Sequence, residues 1–419
     1  MFPQFNSPNP QPRYRAMQGA AFLLMVLLLL GCGVRAVAQA PSPDDIAMRN
    51  RAFLLCKQTN YAEALPLLEK LAVAHPSDFV ILEALGSALV GTSTDSPDPA
   101  VRKQVILRAR SVFLRAKELG DKSDYLATEL EQLPVDGELT PFSVRKEVDE
   151  AMREGETAFG HSNFPAALAA YQRALQLDPK TYAAALFTGD IYFRMNQMDK
   201  AGDWFAKAIA INPDRETAYR YWGDALLKDG KMAEAKAKFI EAVVNEPYQH
   251  ASWNGLHNWA KANQATISHP QIDSPNAVSG EGKQINITIG ANSLGKKDGS
   301  EAWLVYSMSR ALWRGDKFTQ TFPNEKTYRH SLLEEVDALN TAAAVLGENY
   351  KKPKQRKNLQ PSLLALLELH DKGMIEPFVL ISKPDAGIAQ DYVKYRIEHR
   401  DKLREYISDW VIKPDSAAK

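Results

Sequence analysis

Cysteine is nearly absent: only Cys32 and Cys56 occur in 419 residues, which excludes a disulfide-held fold. An excess charge of either sign is also missing. The 51 basic and 51 acidic side chains cancel, so no global field draws the chain to nucleic acid or to an anionic membrane. The one strongly basic run, Lys351 to Lys357, has no interleaved aromatic residue on which a base would stack and reads as a solvated loop. Catalytic signatures are lacking too. None of the eight histidines stands in an H-E-x-x-H frame, so no helix is set to offer two imidazoles and a carboxylate base to zinc. His330 and Glu334 are four apart and read as a surface pair on an amphipathic helix. There is no G-x-S-x-G elbow and no phosphate-binding glycine loop, and Ser307 and Ser309 lie in a helical pattern without a base. His399, Arg400 and Asp401 are adjacent, which on a helix points them to different sides. No catalytic residue, metal site or cofactor is expected, and no nucleic-acid partner.

Long apolar runs are limited to Ala20–Leu30, preceded by Arg13 and Arg15 and followed by small residues, which predicts a secretory signal peptide over residues 1–38. Two processing sites compete. Ala36-Val37-Ala38 fits a small-x-small cleavage site that leaves Gln39 first, whereas Leu29-Leu30-Gly31-Cys32 resembles a bacterial lipobox, in which Cys32 would carry lipid. An uncleaved anchor is a third reading. The expected location is the periplasm, free or as an outer-membrane lipoprotein. Either processing event leaves Cys56 unpaired, and it reads as a small apolar packing residue.

What the chain does have is a period. Gly155, Gly189 and Gly223 stand 34 apart, and so do Ala167, Ala201 and Ala235; Tyr171, Phe205 and Phe239; and Pro179, Pro213 and Pro247. Asn163, Asn196 and Gly230 fall where a turn between two helices is needed. Upstream, Ala52, Tyr61, Ala64, Leu68 and Pro76 fit a weaker copy, and Gly86, Ala109, Phe113 and Ala116 another. That second copy holds about eleven residues more than the period allows, and Gly91 to Pro99 has the composition of an inserted loop. Asp124 to Leu133 predicts a short extra helix, and Pro134 to Pro141 a hinge.

Small, aromatic and proline positions in this order resemble the tetratricopeptide repeat family, pairs of antiparallel helices that stack into a solenoid. The predicted fold is mainly α: two degenerate repeats over 45–135, a linker over 136–147, three regular repeats plus a capping helix over 148–262, a linker with a short strand over 263–298, and an α-rich C-terminal domain over 299–419. Trp253 and Trp259 are expected to cover the last repeat. Gln284 to Ile289 alternates like a half-buried strand, with Phe378 to Ile381 or the segment around Ala277 and Val278 as its partner. Helices are expected over 301–313, 328–346, 361–372 and 389–411, with Leu332, Val336, Leu339, Ala343 and Leu346 on one face.

The resemblance implies a concave groove lined by the first helix of each repeat, where an extended peptide or a partner helix would lie. Met152, Phe159, Leu186, Phe193 and Leu227 are its expected apolar anchors, with Glu156, Asp190 and Asp224 between them and Arg220 at the third repeat. The clustered lysines and asparagines of repeats that clamp a C-terminal carboxylate are missing, and an apolar segment with basic flanks suits this face. Three readings stay open. The chain is a non-enzymatic scaffold or assembly factor of the bacterial cell envelope, similar in layout to repeat lipoproteins that help build outer-membrane proteins or pili. Alternatively the C-terminal domain is an enzyme or small-ligand module positioned by the repeats. The groove itself is either open or filled by that domain folding back.

Overall fold

The computed structural model describes residues 42–281, 284–288 and 296–414. The candidate signal peptide with Cys32 and its cleavage sites, and the end of the expected strand at Ile289, lie outside the described residues. The chain is an antiparallel helix-pair array closed at its far end by a mainly helical unit.

Five helix pairs run α1 (Pro43–Lys57) with α2 (Tyr61–Ala74), α3 (Phe79–Gly91) with α4 (Pro99–Glu118), α6 (Lys146–Gly160) with α7 (Phe164–Leu177), α8 (Tyr182–Arg194) with α9 (Met198–Ile211), and α10 (Glu216–Lys228) with α11 (Met232–Asn245). Helix α5 (Asp124–Gln132) stands between the second and third pairs, and α12 (His250–Ala262) follows the fifth. The first helices are begun by side-chain caps: Ser42 and Asp45 form a capping box on α1, Asn60 caps α2, and Asp78, Asp98 and Ser123 cap α3, α4 and α5. The turns inside the three regular pairs have a left-handed residue at Ser162, Asn196 and Gly230, again 34 apart, and Gln264 after α12 continues the spacing. In the third pair this residue is Ser162 rather than Asn163, whose side chain instead accepts from the Ala166 N–H to start α7.

The glycine period has a steric cause. A Cβ on Gly223 would lie 2.5 Å from the Phe239 ring, and one on Gly255 of the next helix 2.3 Å from it, so the ring sits in a slot that only glycine leaves open. Gly86 and Phe113 make the same contact at 2.5 Å although the second pair is longer. Its extra residues are divided between a turn at 92–98 and added N-terminal turns of α4, which is 20 residues long where α2 has 14.

The remaining helices are α13 (Ala302–Leu312), α14 (Phe318–Thr321), α15 (Leu332–Asn349), α16 (Pro353–Arg356), α17 (Pro361–Asp371), α18 (Ile375–Ser382) and α19 (Tyr392–Glu405). Strand β1 (Ala265–Ile267) pairs antiparallel with β4 (Ile412–Pro414), joining the two ends of this unit, and β2 (Val278–Glu281) pairs with β3 (Gln284–Ile287) as a hairpin. The strand at Gln284 therefore takes the partner at Val278. Phe378 to Ile381 is not a strand but the buried core of α18, an apolar run too short for periodicity to tell helix from strand. The expected stripe on α15 holds, with Leu332, Leu339, Ala343 and Leu346 buried.

The cores divide the molecule differently from the sequence pattern. Residues of α1 to α5 with Leu133 form one core, whereas α10, α11 and α12 share a single continuous core with the C-terminal helices. Trp253 and Trp259 belong to that shared core and are themselves covered by the C-terminal unit. Their indole N–H groups donate to the carbonyls of Pro247 and Met232, so both buried rings keep a polar partner. Polar bonds fix the same interface: Tyr392 donates to the Val244 carbonyl at 2.6 Å, Arg396 Nη1 to Asn245 Oδ1 at 3.0 Å, Arg400 pairs with Glu241 at 2.7 Å, and Arg404 reaches the same carboxylate.

Candidate peptide-binding channel

The concave face is formed by α6, α8 and α10, the first helices of the regular pairs. Their inward positions divide into two groups. Met152 and Leu186, expected as apolar anchors, are withdrawn into the cores between pairs, at 0% and 5% exposure, because small neighbours such as Ala167 and Ala201 let adjacent helices close over them. Phe159, Phe193, Leu227, Glu156, Asp190, Arg220 and Asp224 are half-buried and reach the channel wall. Phe159 packs on Phe164 at 5.9 Å, and Lys228 lies 4.7 Å over the Phe193 ring.

The described residues of the C-terminal unit dock on α11, α12 and the end of α10 rather than along the channel. Across its open side lies α5. Ser123 Oγ donates to Glu83 at 2.7 Å and the Tyr125 hydroxyl is 2.8 Å from Ser87 Oγ, which ties α5 to α3. At the other side Asn254 Nδ2 donates to Thr128 Oγ1 at 3.0 Å, and the His250 backbone N–H to Glu131 at 3.2 Å. Tyr61 comes within electrostatic reach of Asp190 and Arg194, and Glu129 within reach of Arg220. Near the turns, Ser162 Oγ donates to the Gln58 carbonyl at 2.8 Å, Thr157 Oγ1 to the Thr94 carbonyl at 3.0 Å, and Asn60 and His161 form a backbone bridge. A Cβ on Gly160 would stand 2.3 Å from the Gly91 carbonyl oxygen, so the two turns meet only because position 160 is glycine.

Glu129, Glu156, Asp190, Glu216 and Asp224 thus face Arg194 and Arg220 in one enclosure. Arg220 is committed to Glu216, at 2.9 and 3.2 Å, and lies 4.8 Å over the Tyr221 ring. Arg194 and Asp190 are 3.7 Å apart. The remaining acids bear the cost of burial. Burial pushes the Glu156 carboxyl up to about 7, partly offset by the hydroxyl of Tyr171, which donates to it. Asp224 is raised to about 6 by burial against the pull of Arg220, and Glu129 to about 6 by burial against the nearby Tyr125 hydroxyl. Asp190 is raised by the same desolvation. For Glu129, Glu156 and Asp224 the folded-state value lies above the ordinary one, so the stability these three contribute is full below about pH 4 and is lost as pH rises through 6 to 7.

Glu156→Gln keeps the acceptor for Tyr171 and removes the charge. Chemical denaturation is expected to show a gain of about 1–2 kcal/mol at pH 8 and a much smaller one at pH 5. Equal gains at both pH values would mean that Glu156 is not held neutral.

Sequence reasoning found the first-helix residues but missed Tyr61, Tyr125, Glu129, Arg194, Glu216 and Tyr221. Arg194 and Glu216 were legible from the period, since they flank positions already identified. The residues that cross from α2 and α5 were not, because their place depends on how the array curves.

The C-terminal unit carries a second polar cluster. Arg310 Nε bonds Glu334 at 2.6 Å and its Nη1 bonds Glu335 at 2.9 Å; Tyr306 and Tyr328 donate to Glu335 and Glu334. His330 precedes α15 rather than lying on it, and pairs with Asp385 at 2.6 Å and Glu335 at 3.0 Å instead of Glu334. Burial works against charge on its ring, but these two hydrogen bonds prevail and push it up to about 9. Each of these named side chains has a protein partner. Among the described residues no three His, Cys, Asp or Glu side chains are grouped to hold a metal ion.

This geometry defines a helical-repeat scaffold with an enclosed concave channel. Residues 152–216 match the family model for the tetratricopeptide repeat, and the helix pairs of this region are tetratricopeptide repeats. No curated protein matches it. Among solved structures it is similar to MamA from Desulfovibrio magneticus, at 17% identity over 50% of this chain and 99% of that one, with a TM-score of 0.24. It is also similar to YrrB, described as a repeat protein with an unusual peptide-binding site, at 19% identity over 51% and 91% of the chains, TM-score 0.24. A thermophilic repeat protein from Thermus thermophilus is 16% identical over 52% and 98%, TM-score 0.23.

Proposed function

We propose that the protein is a non-enzymatic interaction scaffold of the bacterial cell envelope, exported by its N-terminal segment, which binds a peptide or partner helix in the concave channel. Tetratricopeptide repeats are protein-interaction scaffolds, and the observation that carries the finer reading is the channel itself. It gathers Phe159, Phe193 and Leu227 with Asp190, Arg194, Arg220 and Asp224 on one continuous wall. Such a wall offers apolar anchors for affinity and a few fixed charges for register.

The test is affinity capture from envelope fractions with the wild-type chain and with Phe159→Ala, Phe193→Ala and Arg220→Ala combined. The triple variant should lose the captured partner while keeping its helical circular dichroism. Unchanged capture by a folded triple variant removes the channel as the binding site.

A further inference from the structure

The apolar stacking of the pairs is interrupted once, before α6. Lys146, Glu150, Arg153 and Thr157 recur at three- and four-residue steps and form one stripe of α6, apart from Met152, Glu156 and Phe159. One and two periods later the same positions hold Ala184, Phe187 and Ile191, then Ala218, Tyr221 and Ala225. There the alanines and Ile191 are buried, and the rings pack on the pair before, Phe187 at 5.8 Å from Tyr171 and Tyr221 at 6.0 Å from Phe205. In α6 the charged stripe instead faces the inserted turn at 92–98 and Arg102 of α4 across a cleft of about 700 Å³. The cores on its two sides are separate.

The acids of this cleft are already engaged. Asp149 accepts from the Phe142 N–H and from Arg153 Nε, both at 2.8 Å, while Asp95 pairs with His161 at 3.3 Å, Glu150 with Lys146 at 3.4 Å and Glu154 with Arg173. The two arginines keep donors to spare. Arg102 Nη1 donates to the carbonyls of Ser96 and Pro97 at 2.9 and 2.6 Å, yet among the described residues no acceptor meets its Nη2 or either Nη of Arg153. Arg102 also stands in the first turn of α4, where a cation opposes the helix dipole. Burial, and after it the Arg153 guanidinium, lowers its pKa from the ordinary arginine range. Two guanidiniums that face one cleft repel each other until an anion joins them.

We propose that this cleft is a second binding site, separate from the concave channel, which takes a small phosphate monoester with its phosphate between Arg102 and Arg153. A carboxylate is planar and singly charged and suits one guanidinium. A phosphate monoester brings a charge of about −1.5 to −2 at pH 7 and three strong acceptor oxygens, which answer both. The cleft is larger than the ion, so the esterified group has room beside it, with the Thr94 and Ser96 hydroxyls on the same wall. The inserted residues of the second pair thereby gain a role: they build the wall that carries Arg102.

The experiment is isothermal titration calorimetry on the full chain in phosphate-free buffer, with glucose 6-phosphate, inorganic phosphate and glucose as probes. Glucose 6-phosphate should bind, inorganic phosphate more weakly, and glucose not at all. Arg102→Met and Arg153→Met should each weaken the sugar phosphate at least about tenfold, whereas Arg115→Met, whose guanidinium is exposed on Glu118, should leave it unchanged. Because either cleft variant could disturb the fold, Glu150→Gln supplies a gain that misfolding cannot imitate: it removes an exposed negative charge from the cleft and should tighten binding about twofold or more. No heat from either phosphate probe up to about 10 mM overturns the proposal. Binding indifferent to both arginines, or weakened by Glu150→Gln, overturns the site. Inorganic phosphate bound as tightly as the ester overturns the ligand class. The channel variant Phe159→Ala, Phe193→Ala and Arg220→Ala should bind the sugar phosphate as wild type does, so the two sites stand or fall separately.

Discussion

Arg310→Met is expected to destabilise the C-terminal unit by about 3–5 kcal/mol, enough to unfold it in moderate denaturant. Arg310 is 13% exposed and is the cation that bonds both Glu334, at 0% exposure, and Glu335, at 4%. Removing it leaves Glu334 with the Tyr328 hydroxyl, and Glu335 with His330 and the Tyr306 hydroxyl. Glu335 keeps His330 as a cationic partner, but Glu334 is deprived of its cation and bears the desolvation of its charge, which the neutral Tyr328 hydroxyl does not offset. Arg310→Lys should recover only part of the loss, since one ammonium cannot span the two carboxylates as the planar guanidinium does. Urea unfolding followed by the fluorescence of Trp303, Trp313 and Trp410 reads this directly. A change under about 1 kcal/mol would mean that water reaches the pair and screens it. The neighbouring His330 gives the pH arm: raised to about 9, it contributes stability that is full below about pH 6.5 and lost as pH rises through 9.

A chain ending at residue 275 is expected to be poorly soluble or to melt at least about 10 °C below the full chain. The expectation follows from the shared core. Leu256, Trp259, Val243 and Val244 are all under 9% exposed because the C-terminal helices cover them. Uncovering several such side chains costs about 1.5–3 kcal/mol for each one fully exposed, and leaves an apolar patch on the cut end. Glu241 would also lose Arg400 and Arg404 together. Thermal melts of the two chains at matched concentration decide it. Equal midpoints would show that the repeats end in a self-sufficient cap and that the C-terminal unit is an independent domain.

The repeats were legible because their period is written by packing: each glycine is the slot for one aromatic ring, and Gly86 with Phe113 could be matched across about eleven extra residues for the same reason. Turn chemistry was readable to within one position, with Ser162 rather than Asn163 taking the left-handed conformation. Phe378 to Ile381 was misread because four apolar residues fit a strand or a buried helix equally. Glu334 and Glu335 were invisible as buried groups, since adjacent glutamates in a helical pattern normally face water, and only the fold brings Arg310 to them. The channel shows the same division. Its first-helix positions followed from the period, but Met152 and Leu186 proved to be core, and α5 could not be placed because the bonds that hold it join residues more than 100 positions apart.

The central claim is that the first two repeats and α5 lie across the concave channel of the regular repeats. It is tested most directly by placing cysteines at Thr128 and Asn254, whose side chains are 3.0 Å apart, in a chain otherwise free of cysteine, and treating it with a short bismaleimide. Near-complete intramolecular crosslinking, with peptide mapping that joins α5 to α12, is the expected result. A chain that stays uncrosslinked while both thiols react singly would contradict it.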